Sequence, residues 1–213
     1  MAGTVSLAFN TTTAATILNV AGSDVEVAAA TNGGFYVRVE VVNGVLAVFG
    51  NQLSADTFEL EKSGSDVSVS GTNLDFTLAA GATRVLSLVD ANFAFKFSST
   101  GIAGAVIGGQ FTGPDFSGVS VTGTVSLLVN TTTTEQTLGV NGSNVIVAAA
   151  PVSGHYVRVE LTTATFMVLG NALAMDELVF EQTGANVSVT GTNLSLQLTA
   201  GTNRLLGIQN ASF

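Results

Sequence analysis

The five residues Tyr36-Val-Arg-Val-Glu40 recur unchanged as Tyr156-Val-Arg-Val-Glu160, 120 positions further along the chain. The same offset holds without a gap over a long stretch, so that Gly3–Phe93 aligns with Gly123–Phe213. About half of the aligned positions are identical, and a fixed period of this kind is the sequence signature of a repeat architecture. The chain is therefore predicted to consist of two tandem copies of one structural unit.

Alternation of apolar and polar residues predicts the fold class. In Tyr36–Val41 the valines fall on one parity while Tyr36, Arg38 and Glu40 fall on the other, which is the period of a strand with two unlike faces. Similar runs recur roughly every 8 to 12 residues and are separated by Gly, Asn and Ser, as in all-β proteins. We expect an all-β, elongated multi-strand sheet or a solenoid-like stack of the two repeats, with two β-sandwich modules as the alternative.

The first unit is predicted to span residues 1–120 and the second, incomplete one residues 121–213. Residues 94–121 are rich in glycine but keep alternating valines and phenylalanines, so they are interpreted as connecting hairpins of the first unit. Asn43-Gly44 is predicted to form a two-residue hairpin turn. Its counterpart Thr163-Ala164 adopts such a turn less readily, so a different loop is expected there. The unfinished period suggests a segment of a longer array, or a short natural or designed relative of one.

The charge balance argues against several classes of partner. The chain has 46% hydrophobic residues, 10% charged residues and a net charge of -9, with six basic residues. Nucleic acid binding requires a dense cationic surface, which this composition does not provide. Polar residues interrupt every apolar run before the roughly 18 residues that a membrane span requires. The expected partner is the protein itself, as a homopolymer or through neighbouring repeats.

Residue counts also limit the chemistry. There is no cysteine, no tryptophan and one histidine, His155. Disulfides, thiolate metal sites and histidine-based triads are therefore excluded by count, and we expect no enzyme activity and no cofactor. Calcium is the alternative that stays open, because isolated acids at Asp56 or at Asp176-Glu177 offer oxygen ligands.

The repeated Tyr-Val-Arg-Val-Glu block supplies the candidate site residues. Its cation lies on the same strand face as a glutamate two residues later, and further acids (Asp56, Glu59 and Glu61 in the first copy) follow on the strand expected to pair next. A cross-strand ion pair capped by tyrosine is the predicted role, and a polar groove for a sugar or a partner chain is the alternative. The candidates are Arg38, Glu40, Glu61, Arg158, Glu160 and Glu181.

The chain resembles the β-rich tandem repeats, about 120 residues long, of large secreted bacterial cell-surface and adhesin-like proteins. The resemblance is carried by Tyr-Val-Arg-Val-Glu, by Val48–Asp56 with its counterpart Val168–Asp176, and by Val67–Leu74 with its counterpart Val187–Leu194. It implies an extracellular or cell-surface structural protein, a unit of a filament, stalk or adhesin, that assembles through apolar sheet faces and edges. A carbohydrate- or partner-binding β module is the alternative function, and an enzyme ranks last.

Overall fold

The computed structural model describes residues 2–31, 34–48, 51–81, 83–114, 118–201 and 203–213, and within these ranges every regular element is a strand. The all-β class predicted from the alternating pattern is confirmed. The first eight strands are β1 (Ala2–Asn10), β2 (Thr16–Val20), β3 (Ser23–Val27), β4 (Tyr36–Val48), β5 (Asn51–Ser63), β6 (Asp66–Ala80), β7 (Thr83–Ser98) and β8 (Gly101–Thr112). The second eight are β9 (Val119–Asn130), β10 (Gln136–Val140), β11 (Ser143–Val147), β12 (Tyr156–Val168), β13 (Asn171–Thr183), β14 (Asn186–Thr192), β15 (Leu194–Ala200) and β16 (Asn203–Ala211).

Twelve of these strands form one antiparallel sheet that runs through both copies. Its order is β1-β4-β5-β6-β7-β8-β9-β12-β13-β15-β16, and β14 pairs with β13 beside β15. Strand β8 pairs with β9, so that Ala105 lies opposite Leu128 across the boundary between the copies. The described part of residues 94–121 belongs to this sheet, whereas residues 115–117 lie outside the described ranges. The copies therefore share one sheet and do not form two separate sandwiches.

Each copy sends one short hairpin out of the sheet. Strands β2 and β3 pair only with each other between β1 and β4, and β10 and β11 do the same between β9 and β12. The second hairpin packs on the sheet over β7, β8 and β9, where it forms the main hydrophobic cluster. That cluster consists of Ala94, Ala105, Leu138, Val140, Val147, Ala150 and Tyr156.

A row of left-handed residues crosses the middle of the long strands and corrects one prediction. Asn43 has a φ of 52° and its counterpart Thr163 a φ of 50°, yet both lie inside continuous strands. The hairpin turn predicted at Asn43-Gly44 is therefore wrong, and so is the expected difference at Thr163-Ala164. Since a residue with positive φ is also found inside long twisted strands at bulges, the Asn-Gly pair does not by itself specify a chain reversal. Equivalent residues are Asn73, Asp90 and Asn193, with φ values of 49°, 58° and 50°.

The bend keeps the apolar side chains on one face. On β4, Val37, Val39 and Val41 take odd positions on this face, whereas Leu46, beyond Asn43, takes an even one, so the alternation shifts by one residue at the bend. Val41 and Leu46 nevertheless line the same hollow, together with Phe58 and Leu53 of β5. The left-handed residue absorbs the extra position, and the sheet consequently has one apolar face along its whole length.

Aromatic rings cover glycines on this apolar face. The ring of Phe93 lies over Gly71 of the neighbouring strand, and in the second copy Phe213 lies over Gly191 in the same way. A Cβ atom at either glycine would clash with the ring, so the close approach requires glycine. Such pairs fill the gaps that glycine leaves in a sheet.

The row of left-handed residues gives a first prediction. Threonine is β-branched and is strained at positive φ, whereas asparagine tolerates this conformation. Thr163→Asn should therefore stabilise the protein by about 1 kcal/mol, and Asn43→Thr should destabilise it by a similar amount. Both changes in the free energy of unfolding are measured by chemical denaturation.

Thr165→Asn is the matched control for this prediction, because Thr165 lies in the same strand and is not among the residues with positive φ. Asparagine is disfavoured in ordinary strand positions, so the control should lose stability. A loss for Thr163→Asn of the same size as for Thr165→Asn would contradict the assignment.

Candidate functional site

The Tyr-Val-Arg-Val-Glu block places its polar side chains on the face opposite the apolar one. On β4, Arg38 reaches across to β5, where its Nη2 atom lies 2.5 Å from a carboxylate oxygen of Glu59. Its Nε atom donates to the same carboxylate at 2.7 Å. Glu40, two residues along the strand, lies 3.5 Å from Nη2. These three side chains form the charged cluster of the first copy.

Glu61 has a different partner from the one predicted. It lies directly opposite Arg38 in the register of β4 and β5, but its carboxylate accepts a hydrogen bond from the Tyr36 hydroxyl at 3.3 Å. Glu59 is diagonal to Arg38 and makes the shorter contact. Opposite and diagonal neighbours on one face are both within reach of a long side chain, and strand register alone does not distinguish them.

The second copy contains the same cluster with one carboxylate moved. Arg158 lies 2.8 Å from Glu160, 3.4 Å from Glu181 and 3.6 Å from Glu177. Tyr156 donates to Glu181 at 3.3 Å, as its counterpart does in the first copy.

The moved carboxylate follows from two substitutions between the copies. Where the first copy has Glu59, the second has the buried Val179, and where the first has Thr57, the second has Glu177. The two positions lie on the same strand face, since they are two residues apart. Arg158 therefore keeps a cross-strand acid although the position of that acid differs.

The pKa values of the tyrosines and arginines at this site are raised. Burial raises the pKa of Tyr36, and the nearby Glu61 carboxylate raises it further. Burial and Glu181 have the same effect on the pKa of Tyr156. For Arg38, burial opposes the charge, but Glu59 and Glu40 outweigh it and the pKa rises. For Arg158 the hydrogen bond to Glu160 is the largest influence and raises the pKa. Because these pKa values are raised from values that already lie well above 7, the groups do not exchange protons near neutral pH.

The tyrosine environment gives a second prediction. Because the pKa of each tyrosine is raised in the folded protein, its stabilising contribution is complete below pH about 10 and is lost as the pH rises through the folded pKa. The chain has two tyrosines and no tryptophan, so the absorbance of phenolate reports them cleanly. The titration midpoint should lie above 10 in the native protein and return to about 10 in denaturant.

Glu61→Gln and Glu181→Gln supply the controls, each removing the carboxylate beside one tyrosine. Each should lower the native midpoint of that tyrosine partway, because burial is the larger cause and remains. Identical titration curves for the native and denatured protein would refute this description of the site.

Three acids were considered for calcium from the sequence. Glu177 belongs to the charged cluster of the second copy, and Asp56 and Asp176 lie beside the row of left-handed residues. The Asp56 carboxylate accepts from the Asn73 side-chain amide at 2.8 Å, and Asp176 accepts from Asn193 at 2.6 Å. Both bonds join neighbouring strands next to a left-handed asparagine. Among the described residues, no group of three or more His, Asp or Glu side chains is placed to hold a metal ion.

A polar hollow opens beside the first charged cluster. Its volume is about 490 Å³, and its lining includes Glu61, Asp66, Ser68 and Lys96. Lys96 and Asp66 form an ion pair at 3.1 Å across it. Glu61 is the candidate site residue that lines this hollow, and Tyr36, Arg38 and Glu40 are not among its lining residues.

The face of the sheet opposite the charged clusters is the apolar face. Its cross-strand rows include Leu7, Val39 and Leu60 on one line and Leu127, Val159 and Phe180 on another. A hollow of about 270 Å³ on this face is lined by Phe111, Val125, Val159, Leu161, Leu178 and Phe180. The apolar faces were predicted from the sequence, but the departure of the hairpins β2–β3 and β10–β11 from the sheet was not.

The fold and these surfaces define an all-β protein in which two tandem units share one open antiparallel sheet. Comparison with family models, curated proteins and solved structures finds no match to this chain. In the part of the chain that the structure describes, there is no helix long and apolar enough to cross a membrane.

Proposed function

We propose that the protein is a structural repeat unit of an extracellular or cell-surface filament, stalk or adhesin, and that it assembles with further copies through its apolar face. The observation that carries the proposal is the exposure of that face. A second sheet laid on it would convert a single layer into the two-layer arrangement in which sheets are normally stable.

The exposed area is large for the mass of the chain. The accessible surface is 12135 Å², whereas a compact monomer of 21.5 kDa is expected to expose about 9,200 Å². The excess is about 3,000 Å², and a stable protein interface needs about 800 Å² from each partner. Self-association thus has more than enough surface available on each copy.

The chemistry of the excess surface favours another copy as the partner. The exposed positions include Leu7 at 70%, Val5 at 60% and Val187 at 56%. They continue the same apolar rows that the partly buried valines and phenylalanines form in the centre of the sheet. Two such faces are mutually complementary, and their contact leaves the charged clusters on the outer surfaces in water.

The open edges of the sheet support growth in the second direction. β1 pairs only with β4 and β16 only with β15 among the described strands. Unpaired edge strands are templates for further strands. The location outside the cell belongs to the same proposal and draws on the composition, with two lysines and no cysteine, and on the resemblance to secreted repeat proteins.

The test is the state of association as a function of concentration. The double variant Val187→Lys/Val189→Lys places two charges on the apolar face at exposed positions of β14. Burying unpaired lysines is unfavourable, so sedimentation or light scattering should show loss of the assemblies that the natural chain forms.

Ser188→Lys/Thr190→Lys is the matched control, since it adds the same charge to the same strand on the opposite face and all four positions are exposed. Assembly should persist in this variant. A natural chain that stays monomeric over a wide concentration range, or equal losses in both variants, would reject the proposed function.

A carbohydrate-binding module is the second candidate, and the polar hollow beside Glu61 favours it. Carboxylates, hydroxyls and a lysine converge there, and a sugar recognised by hydrogen bonds fits such a lining. If the hollow binds sugar, a glycan array should give a reproducible signal that Glu61→Ala abolishes, while Glu181→Ala in the second copy leaves it unchanged. An array without a signal removes this candidate.

A further inference from the structure

The two hairpins have the same inward-facing residues but very different surroundings. In β10–β11, Leu138 is 6% exposed and Val140 is fully buried at 0%. Their counterparts in β2–β3, Leu18 and Val20, are 48% and 56% exposed. The side chains are identical in type, so the difference lies in what covers them.

The bases of the two hairpins are built alike, which excludes a difference in their own folding as the cause. The side-chain amide of Asn10 donates to two backbone carbonyl oxygens, each at 2.9 Å, and Asn130 makes the equivalent two bonds at the same distance. The backbone bonds from Ala30 to Thr12 and from Ala150 to Thr132 both measure 2.8 Å. The base of each hairpin is therefore held by the same set of hydrogen bonds.

In the second copy the hairpin covers the strand pair β7–β8. Ala94 of β7 and Ala105 of β8 lie beneath it, and Ala105 is fully buried at 0% exposure. The hairpin approaches closely because these side chains are small. The same strand pair also completes the sheet, since β8 pairs with β9.

The base of the second hairpin is fixed to β8 as well. The backbone N–H of Thr131 donates to the carbonyl of Ile102 at 2.8 Å, and the backbone N–H of Ile102 donates to the Thr131 hydroxyl at 2.8 Å. Thr132 next to it is 4% exposed. Thr12, the counterpart of Thr132, is exposed.

We infer that β1 together with Leu18, Val20 and Val25, here called the first seat, binds an antiparallel strand pair with the side-chain pattern of β7–β8 from another unit of this repeat. One strand of the pair would extend the sheet at β1, and two alanines would fit beneath the hairpin. The inference rests on the proposed function, because it specifies the partner for one of the assembly contacts. In a second copy of the chain, β7 and β8 already lie under the hairpin β10–β11 of that copy. The strand pair that binds the first seat is therefore one that no other hairpin covers.

The experiment supplies the missing partner to the full chain. In an extended protein, a duplicate of residues 83–122 replaces Met1-Ala2. The added strands then precede Gly3 by the same number of residues by which β7 and β8 precede Gly123. Hydrogen exchange is then followed in peptides covering residues 12–30 and 132–150 of the same molecule. The second peptide is an internal reference, because its hairpin is already covered.

In the natural chain, residues 16–27 should exchange about tenfold or more faster than residues 136–147, as expected for an exposed element of low local stability. In the extended protein this difference should fall to within about threefold. The control extension carries A94D and A105D in the added segment alone, and it should leave the difference unchanged because a charge cannot be buried beneath the hairpin.

All measurements are repeated in the Val187→Lys/Val189→Lys background, which separates the two proposals. Protection that appears in this background supports the first seat whatever happens to assembly through the apolar face. Equal exchange of the two hairpins in the natural chain overturns the inference, and so does a folded extension that leaves residues 16–27 unprotected.

If the extended protein does not fold, a synthetic peptide of residues 83–122 is added to the full chain. Protection of residues 16–27 at saturating peptide supports the inference, and its absence overturns it.

Discussion

A β-strand presents its side chains alternately to two faces, and in this protein one of those faces is apolar along an entire sheet. The sheet is a single layer apart from the patch beneath the second hairpin. Hydrophobic burial supplies most of the free energy of folding, and here a large part of the available apolar surface is not used by the chain itself. The chain consequently buries less of its apolar surface than an ordinary two-layer domain does.

The polar face helps to keep neighbouring strands in register. Arg38 and Arg158 are each surrounded by carboxylates from their own strand and the next one, and each tyrosine joins a glutamate across the same pair of strands. The arginine side chains are roughly a third exposed, and surface ion pairs contribute about 0 to 1 kcal/mol each. Their value here is one of specificity, because a slip of one residue in register would bring these charges onto the apolar face.

The sequence predicted the strand content, the two copies and the polar strand face, because each of these depends on local alternation or on direct comparison within the chain. It did not predict that Asn43 bends a strand in place of ending it, since a positive φ serves a turn and a bulge equally well. It also did not select Glu59 over Glu61 as the main partner of Arg38, because diagonal contacts depend on the twist of the finished sheet. The excursion of the two hairpins follows from long-range pairing between β1 and β4 and between β9 and β12, and strand spacing carries no information on that pairing.

The two copies of the unit also differ in how much of the hairpin is buried. Val27 and Val147, at the base of the two hairpins, are both buried, at 1% and 0% exposure, so this part of the hairpin is satisfied within its own copy. The exposure of the two copies diverges further out, because Leu18 and Val20 are exposed whereas Leu138 and Val140 are covered by β7 and β8 of the preceding unit. In the second copy, the hairpin thus uses residues of its own copy to form and residues of the neighbouring copy to be covered. Nearest-neighbour stability in repeat proteins requires contacts of both kinds, within a unit and between units. In this chain the difference between the copies is seen at the exposed Leu18 and Val20 and at their buried counterparts Leu138 and Val140.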